Sequence, residues 1–136
     1  MKTYTGTKTI KAIPTTRKEY CEYRGWELPE DENGDEEIYL VEYPVDPESK
    51  PNHENHEGYI SMSPKHVFDK AYRPSGDFLE RMKIEKEDLS VKVSSLNAAL
   101  KENKVPKTEV GILQEQLKAM KEYLRVLTKR VENHSK

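Results

Sequence analysis

The sequence has few of the features that mark secreted, membrane or disulfide-stabilised proteins. Its 136 residues include one cysteine, Cys21, which has no partner for an internal disulfide and so indicates a reducing compartment such as the cytoplasm. No apolar run approaches the ~20 residues of a membrane span. Residues Met1 to Ile13 lack the apolar stretch of a signal peptide, so we expect neither export nor membrane insertion.

Apolar residues are also scarce. Only 34% of residues are hydrophobic and 35% are charged, so one protomer buries a modest core and an oligomer that shares its core is easier to stabilise. The net charge of −2 is unevenly distributed, because Glu27 to Glu57 holds twelve acids and one base, Lys50. The rest of the chain has 22 bases and 13 acids, or +9. That remainder suits an anionic ligand, and the alternative is an ordinary solubilising surface.

The most regular pattern lies in residues 77–132, which predict a long antiparallel helical hairpin. In its second helix apolar residues recur three and four apart, the heptad spacing of a seam between helices. They are Val110, Leu113, Leu117, Met120, Leu124, Leu127 and Val131. A second stripe lies about a third of a turn away. It contains Ile112, Ala119, Tyr123 and Val126.

The first helix of the hairpin also carries two apolar stripes. Its main apolar face consists of Phe78, Met82, Leu89, Val93, Leu96 and Leu100, and its weaker stripe of Ile84, Val91 and Ala98. One partner helix covers only one stripe, so a lone hairpin leaves the others in water. The sequence therefore predicts a homo-oligomer, either a dimer of hairpins or a hexamer built from such dimers.

Residues 1–74 predict a small module of about three strands and two short helices, which makes the fold class α+β. The predicted strands are Lys8–Ile13, which Pro14 should stop, Ile38–Val45 and Gly58–Ser63. The predicted helices are Arg17–Arg24, with a Thr16 and Glu19 capping box and Gly25 after its last turn, and a helix from Pro64 to near Tyr72 with Ser63 as N-cap.

Single residues complete this prediction. We expect Trp26 to anchor the core beside the first helix. Pro74, Ser75 and Gly76 should separate the module from the hairpin, whose first helix Asp77 caps. The hairpin turn is predicted at Lys101 to Lys107, because Pro106 interrupts a continuing helix and Thr108 is placed to cap the next one.

The sequence offers little for catalysis. His53 and His56 are spaced like two metal ligands, but they fall in a polar loop without a neighbouring cysteine, and a solvated loop is the simpler interpretation. No glycine-rich phosphate loop follows a strand. Cys21 has Lys18 and Arg24 within a turn, although a half-buried thiol explains it as well. We therefore predict a protein that is not an enzyme, with no metal and no cofactor. Dispersed basic residues without a known module also argue against specific nucleic-acid binding.

Two segments of the hairpin, RMKIEKEDLSVKVSSL (81–96) and QLKAMKEYLRVLTKRV (116–131), resemble the helical domain of phage anti-defence signal sponges that act against Thoeris and CBASS immunity. The first segment opens with arginine and has an E-x-x-x-L step at Glu85 and Leu89. The second matches Q-L-x-A-M-x-x-Y-x-x-L-x-x-R, with one-residue variation, at Gln116, Leu117, Ala119, Met120, Tyr123, Leu127 and Arg130.

The N-terminal region is similar to a module of small phage proteins. The similarity rests on the sequence motifs GTK, YRGW and GYISMSPKHVFDKAYRP. Met62 stands where that module usually has tryptophan. Together the two resemblances imply a protein without turnover in the cytoplasm of the infected bacterial host. It would sequester glycocyclic ADP-ribose or cyclic di- or trinucleotides between the protomers of a homo-oligomer, commonly a hexamer. The competing interpretation is a structural or partner-binding coiled coil with no nucleotide ligand.

A nucleotide ligand needs a flat apolar face for its base and cations for its phosphates. Phe78 and Arg81 lie within one turn at the start of the hairpin and follow Arg73 closely. We expect the same region of a neighbouring protomer to approach Tyr123 and Arg130. The predicted nucleotide-binding residues are Arg24, Arg73, Phe78, Arg81, Tyr123 and Arg130. The alternative is that Phe78 only packs the helix and that Arg81 pairs with Glu85.

Overall fold

The computed structural model describes residues 1–136 and confirms the α+β class, with three antiparallel strands, short early helices and a long helical region after them. The chain divides into two compact units, Met1–Tyr72 and Arg73–Lys136. The first has nine basic and fifteen acidic residues, a net charge of −6, and the second has fourteen basic and ten acidic residues, a net charge of +4.

The N-terminal unit is built on a three-stranded antiparallel sheet in the order β1-β2-β3. The strands are β1 (Lys11–Thr16), β2 (Glu37–Glu42) and β3 (Ile60–Pro64). Helix α1 (Arg17–Arg24) contacts β1 and β2, and helix α2 (Lys65–Ala71) contacts β2 and β3. Ile38 and Val41 of the central strand are 1% and 2% exposed. Because residues three apart in a strand point to opposite faces, both faces of β2 are covered.

Helix α1 confirms the predicted helix Arg17–Arg24, but only half of the predicted capping box forms, because the Glu19 carboxylate accepts from the Thr15 hydroxyl at 2.7 Å. The Thr16 hydroxyl accepts a hydrogen bond from the Glu19 N–H at 3.2 Å, which satisfies a free donor of the first turn. Gly25 ends the helix with a φ of 73°, a left-handed conformation that glycine adopts without strain. The N–H of Trp26 then turns back to the Cys21 carbonyl oxygen at 2.8 Å.

Three predictions for this unit are wrong in detail. Pro14 does not stop the first strand but lies within β1, because β1 is an edge strand and an edge tolerates the missing N–H. Trp26 is 53% exposed rather than a core anchor, because the turn at Gly25 places it on the surface beside Tyr20. Ser63 pairs with Tyr39 in the sheet, so α2 begins at Lys65 without a side-chain cap.

The C-terminal unit is the predicted hairpin. Helix α3 (Phe78–Lys101) begins with a full capping box between Asp77 and Glu80, and helix α4 (Val110–His134) packs against it. The expected cap at Thr108 is wrong, because Lys107–Glu109 form a 3₁₀ turn that leads into α4 without a side-chain cap. None of the helices is long and apolar enough to cross a membrane.

The seam between the two helices covers most of the main stripe of each, although Phe78 at its end stays 50% exposed. Met82, Leu127 and Val131 form the buried cluster, with exposures of 3%, 0% and 8%. The second stripes stay in water. Val91, Ile112, Tyr123 and Val126 are 66%, 62%, 45% and 40% exposed.

The close approach of Gly58 to β2 predicts a position that tolerates no side chain. A Cβ at Gly58 would overlap the carbonyl oxygen of Tyr43, whereas a Cβ at Gly111 in the first turn of α4 meets nothing within 4 Å. Gly58→Ala should lower the free energy of unfolding by about 1–3 kcal/mol through overpacking. Gly111→Ala should leave it unchanged or raise it by up to about 1 kcal/mol. Urea unfolding measures both, and equal midpoints for the two variants would contradict this account.

Candidate functional site

The antiparallel hairpin brings the start of α3 against the end of α4. Met82 lies one turn into α3 and packs with Leu127 and Val131 of α4. This buried cluster fixes which residues of α3 and α4 lie opposite each other at the open end of the hairpin. Residues 52 positions apart in the chain, Phe78 and Arg130, are therefore held side by side.

An exposed aromatic ring with cationic neighbours lies at this open end. The Phe78 ring is 50% exposed, and the Arg130 Cζ atom lies 5.7 Å from its centroid. The His134 ring meets Phe78 edge to face, with centroids 5.4 Å apart at 82°. Arg81 follows Phe78 by three residues and so shares its side of α3. We call Phe78, Arg81, Arg130 and His134 the hairpin-base cluster.

The two arginines of the hairpin-base cluster are not neutralised by carboxylates. Neither Arg81 nor Arg130 forms an ion pair. Arg81 donates from Nη1 to the Ser75 carbonyl oxygen at 3.1 Å, and the alternative pairing with Glu85 is absent. A guanidinium keeps five donors, so both side chains retain hydrogen bonds for an anion. The cluster thus combines an apolar ring face with unpaired positive charge.

Arg73 has a different environment. Its Nη1 atom donates to Asp88 Oδ1 at 2.9 Å and reaches Glu87 at 3.4 Å, and its Nη2 atom reaches the second Asp88 oxygen at 3.3 Å. These hydrogen bonds raise the pKa of Arg73 and lower the pKa of Asp88. A phosphate would have to compete with two carboxylates for this guanidinium.

The remaining predicted residues lie elsewhere. Tyr123 is seven residues before Arg130, about 10 Å along α4, on the exposed second stripe. Arg24 belongs to the N-terminal unit, where its Cζ atom lies 4.4 Å from the Trp26 ring centroid. Its Nη1 atom also donates to the Tyr20 hydroxyl at 3.1 Å. Arg24 and Trp26 therefore form a cation–aromatic pair of their own.

Sequence reasoning missed His134. The only sequence signal was its spacing of four residues from Arg130, which places both on one side of α4. Its contact with Phe78 depends on the register of the hairpin, which no local pattern reveals.

His53 and His56 have protein partners rather than open positions. The Nδ1 atom of His56 bonds to Glu42 Oε1 at 2.6 Å, and its Nε2 atom bonds to the Tyr23 hydroxyl at 2.7 Å. The His53 ring stacks on Tyr23 with centroids 4.4 Å apart, and its Nδ1 accepts the Asn55 N–H at 3.2 Å. These contacts join α1, the end of β2 and the loop before β3.

No group of three or more histidine, cysteine or acidic side chains is placed to hold a metal ion. Cys21 is 7% exposed within α1.

Comparison with known families bears on the hairpin. Residues 76–133 match the Sequestin family model. The match covers 58 of the 136 residues and spans nearly all of α3 and α4, including every residue of the hairpin-base cluster except His134. The match is thus confined to the hairpin, and residues 1–75 lie outside it. Neither the comparison with curated proteins nor that with solved structures gave a match.

The Glu42 contacts predict an acid-sensitive contribution to stability. Hydrogen bonds from His56 and from the Gly58 N–H lower the pKa of Glu42 from its ordinary value of 4.5. A lowered folded-state pKa adds stability that is complete above the unfolded value and is lost as the pH falls through the folded value. Glu42→Gln should therefore destabilise the protein at pH 6, and the difference from the unmodified protein should shrink below pH about 4.

Glu54→Gln provides the matched control, because Glu54 is an exposed glutamate of the loop that contains His56 and Gly58. Its effect should be small at every pH, since surface charges away from a specific partner contribute little. Urea unfolding at pH 3, 4 and 6 makes the comparison. A Glu42→Gln effect of constant size across this range would contradict the assignment.

Proposed function

We propose that this protein binds a nucleotide second messenger and sequesters it without degrading it. The observation that carries the proposal is the match of residues 76–133 to Sequestin, a family whose name denotes sequestration. The ligands in view are glycocyclic ADP-ribose made by Thoeris systems and cyclic di- or trinucleotides made by CBASS systems. In this proposal the protein acts for a phage in the cytoplasm of the infected bacterial host.

The hairpin-base cluster has the chemistry that such a ligand requires. A purine presents a flat face that stacks on an aromatic ring, and base–aromatic stacking contributes about 1–3 kcal/mol. Phosphate groups accept two parallel hydrogen bonds from a guanidinium. Phe78 supplies the ring, and Arg81 and Arg130 supply guanidinium groups without ion-pair partners. Arg73 has a secondary role in this proposal, because Asp88 already holds its guanidinium.

Tyr123 and Arg24 enter the proposal in different ways. Tyr123 lies on the exposed second stripe, where a neighbouring protomer would cover it and the ring would line a shared pocket. Arg24 with Trp26 offers a separate cation–aromatic surface on the N-terminal unit. Its contribution is tested independently by Arg24→Ala.

Sequestration without turnover agrees with the contacts of the most reactive-looking side chains. His56 is bonded on both ring nitrogens, and the Nδ1 atom of His53 accepts a backbone N–H. Neither histidine presents a free nitrogen pair to a phosphodiester. A protein that only binds must be present in amounts comparable to the messenger, and it must hold that messenger tightly.

The exposed second stripes support the proposed homo-oligomer, a dimer or a hexamer. Ile112, Tyr123 and Val126 line one side of α4, and Val91 lies on α3. Exposed apolar residues that recur along one side of a helix are typical of a face that packs against a partner. The same observation favours the second candidate function, a structural coiled coil with no nucleotide ligand, which the ligand experiment separates from the first.

The first experiment offers the protein a panel of nucleotide messengers in a thermal-shift assay. A ligand that binds only the folded state stabilises it by about 2.7 kcal/mol at 100 times its Kd. The bound messenger is then released by heat denaturation and should be recovered intact by chromatography. A linear or hydrolysed product would contradict sequestration, and His53→Ala and His56→Ala would then be the first variants to examine. If no messenger binds, the coiled-coil function is preferred.

Variants of the hairpin-base cluster locate the site in the same assay. Phe78→Ala, Arg81→Ala and Arg130→Ala should each weaken binding by about 2 kcal/mol, because each removes a stacking face or a charged hydrogen bond. Arg125→Ala is the matched control, since Arg125 pairs with Glu122 of its own helix at 2.7 Å. Unchanged affinity by calorimetry for both Phe78→Ala and Arg81→Ala, in a protein of unaltered mass, would place the site elsewhere.

The assembly has its own test. Ile112→Glu and Val126→Glu put a charge on the exposed stripe and should lower the solution mass measured by light scattering while leaving the hairpin folded. Leu117→Glu and Leu124→Glu are less suitable variants, because Leu117 is 9% exposed and Leu124 is partly buried within one hairpin. A mass of one ~16 kDa chain for the unmodified protein at micromolar concentration would exclude the oligomer.

A further inference from the structure

A cleft in the N-terminal unit has two tyrosine rings in its walls and a lysine over one of them. The cleft has a volume of about 470 Å³ and is lined by Tyr43, Tyr59, Pro44, Val45, Pro47, Asp46, Ser49 and Lys8. The tyrosine ring centroids are 6.4 Å apart and tilted by 33°. The Lys8 Nζ atom lies 4.3 Å from the Tyr43 centroid, well inside the range of a cation–π contact.

The backbone holds the two tyrosines in place. The Tyr43 N–H donates to the Tyr59 carbonyl oxygen at 2.9 Å, just beyond the paired residues of β2 and β3. Gly58 packs so closely on the Tyr43 carbonyl that only glycine fits. The Glu42 carboxylate accepts the Gly58 N–H at 3.2 Å and fixes the same turn. The aromatic walls are therefore preorganised rather than formed by a mobile loop.

The lysine is held far less firmly than the tyrosines. Residues 1–10 belong to no helix or strand, and all but Ile10 are exposed. Lys8 forms no ion pair, although the N-terminal unit to which it belongs is rich in acidic residues. Its ammonium group is thus placed by the tyrosine face and not by a carboxylate.

We propose that this tyrosine cleft is a receptor for a lysine or arginine side chain of a basic partner peptide, and that Lys8 occupies it in the absence of the partner. The occupant already present shows which chemistry the cleft accepts. Charge complementarity selects a basic partner, since the N-terminal unit carries −6 and the segment Glu27 to Glu57 has twelve acids and one base. Exchange replaces one cation on the ring with another, while the displaced Lys8 returns to water.

This inference is independent of the nucleotide function, and it makes the N-terminal segment a competitor of the partner. The apparent affinity of a site falls in proportion to the fraction of molecules in which it is free. An exposed cation–π contact of about 0.5–1 kcal/mol leaves the cleft free in about a sixth to a third of molecules. Removing Lys8 should therefore tighten peptide binding by about three- to sixfold.

The experiment titrates the full chain with a heptalysine peptide at low ionic strength and follows the ring protons of Tyr43 and Tyr59 by NMR. Lys8→Ala should tighten binding by about three- to sixfold relative to Lys2→Ala. Lys2 is the matched control, because it lies in the same segment and its removal changes the net charge equally. Equal affinities for Lys8→Ala and Lys2→Ala would overturn the proposal.

Two further experiments distinguish specific binding of the peptide in the cleft from its general attraction to an acidic surface. In the Lys8→Ala background, where no competing Lys8 contact is lost, Tyr43→Ala should weaken binding by about two- to fivefold, whereas Tyr43→Phe keeps the ring face and should bind within about twofold of Lys8→Ala alone. A heptalysine peptide with acetylated lysines lacks the charge and should not shift the tyrosine rings. Binding that depends on salt but is the same in the Lys8→Ala/Tyr43→Ala double variant and in Lys8→Ala alone would overturn the proposal.

Discussion

The contact of Met82 with Leu127 and Val131 is the interaction on which the C-terminal unit depends. It is the one fully buried apolar cluster of the hairpin, and burial of a leucine such as Leu127 contributes about 1.5–3 kcal/mol. The cluster lies near the open end and so sets which residues of α3 face which residues of α4. This register places Arg130 against Phe78. Phe78 is therefore the only aromatic residue of this unit that is flanked by unpaired arginines.

The N-terminal unit is stabilised differently, because much of its order comes from polar contacts between loops and the sheet. Arg17 holds Glu36 at 2.6 Å and Glu32 at 3.2 Å, and the attraction raises its pKa. Asn52 both donates to and accepts from the backbone of Ile60. An acidic segment with few apolar residues cannot fold by burial alone, so hydrogen bonds and ion pairs place it.

The two units present opposite charge to ligands. The hairpin-base cluster has a half-exposed ring and two unpaired guanidinium groups, which suits a purine with phosphates. The tyrosine cleft lies in a unit of net charge −6 and already holds an ammonium group. Each surface has an aromatic face, and the net charge of its unit would favour ligands of opposite sign. Exposed aromatic residues in units of opposite net charge are therefore the features on which both proposals rest.

The sequence alone determined what depends on near neighbours in the chain. The caps of α1 and α3, the two helices of the hairpin, the double stripes and the nearness of Phe78 to Arg81 all follow from spacings of three or four residues. Only the tertiary structure decided that Pro14 lies in an edge strand, that Trp26 is exposed, and that Asp88 engages Arg73. It also brought Arg130 and His134 to Phe78 within one chain. These features depend on packing between segments far apart in the sequence, and local preferences do not specify which surfaces meet.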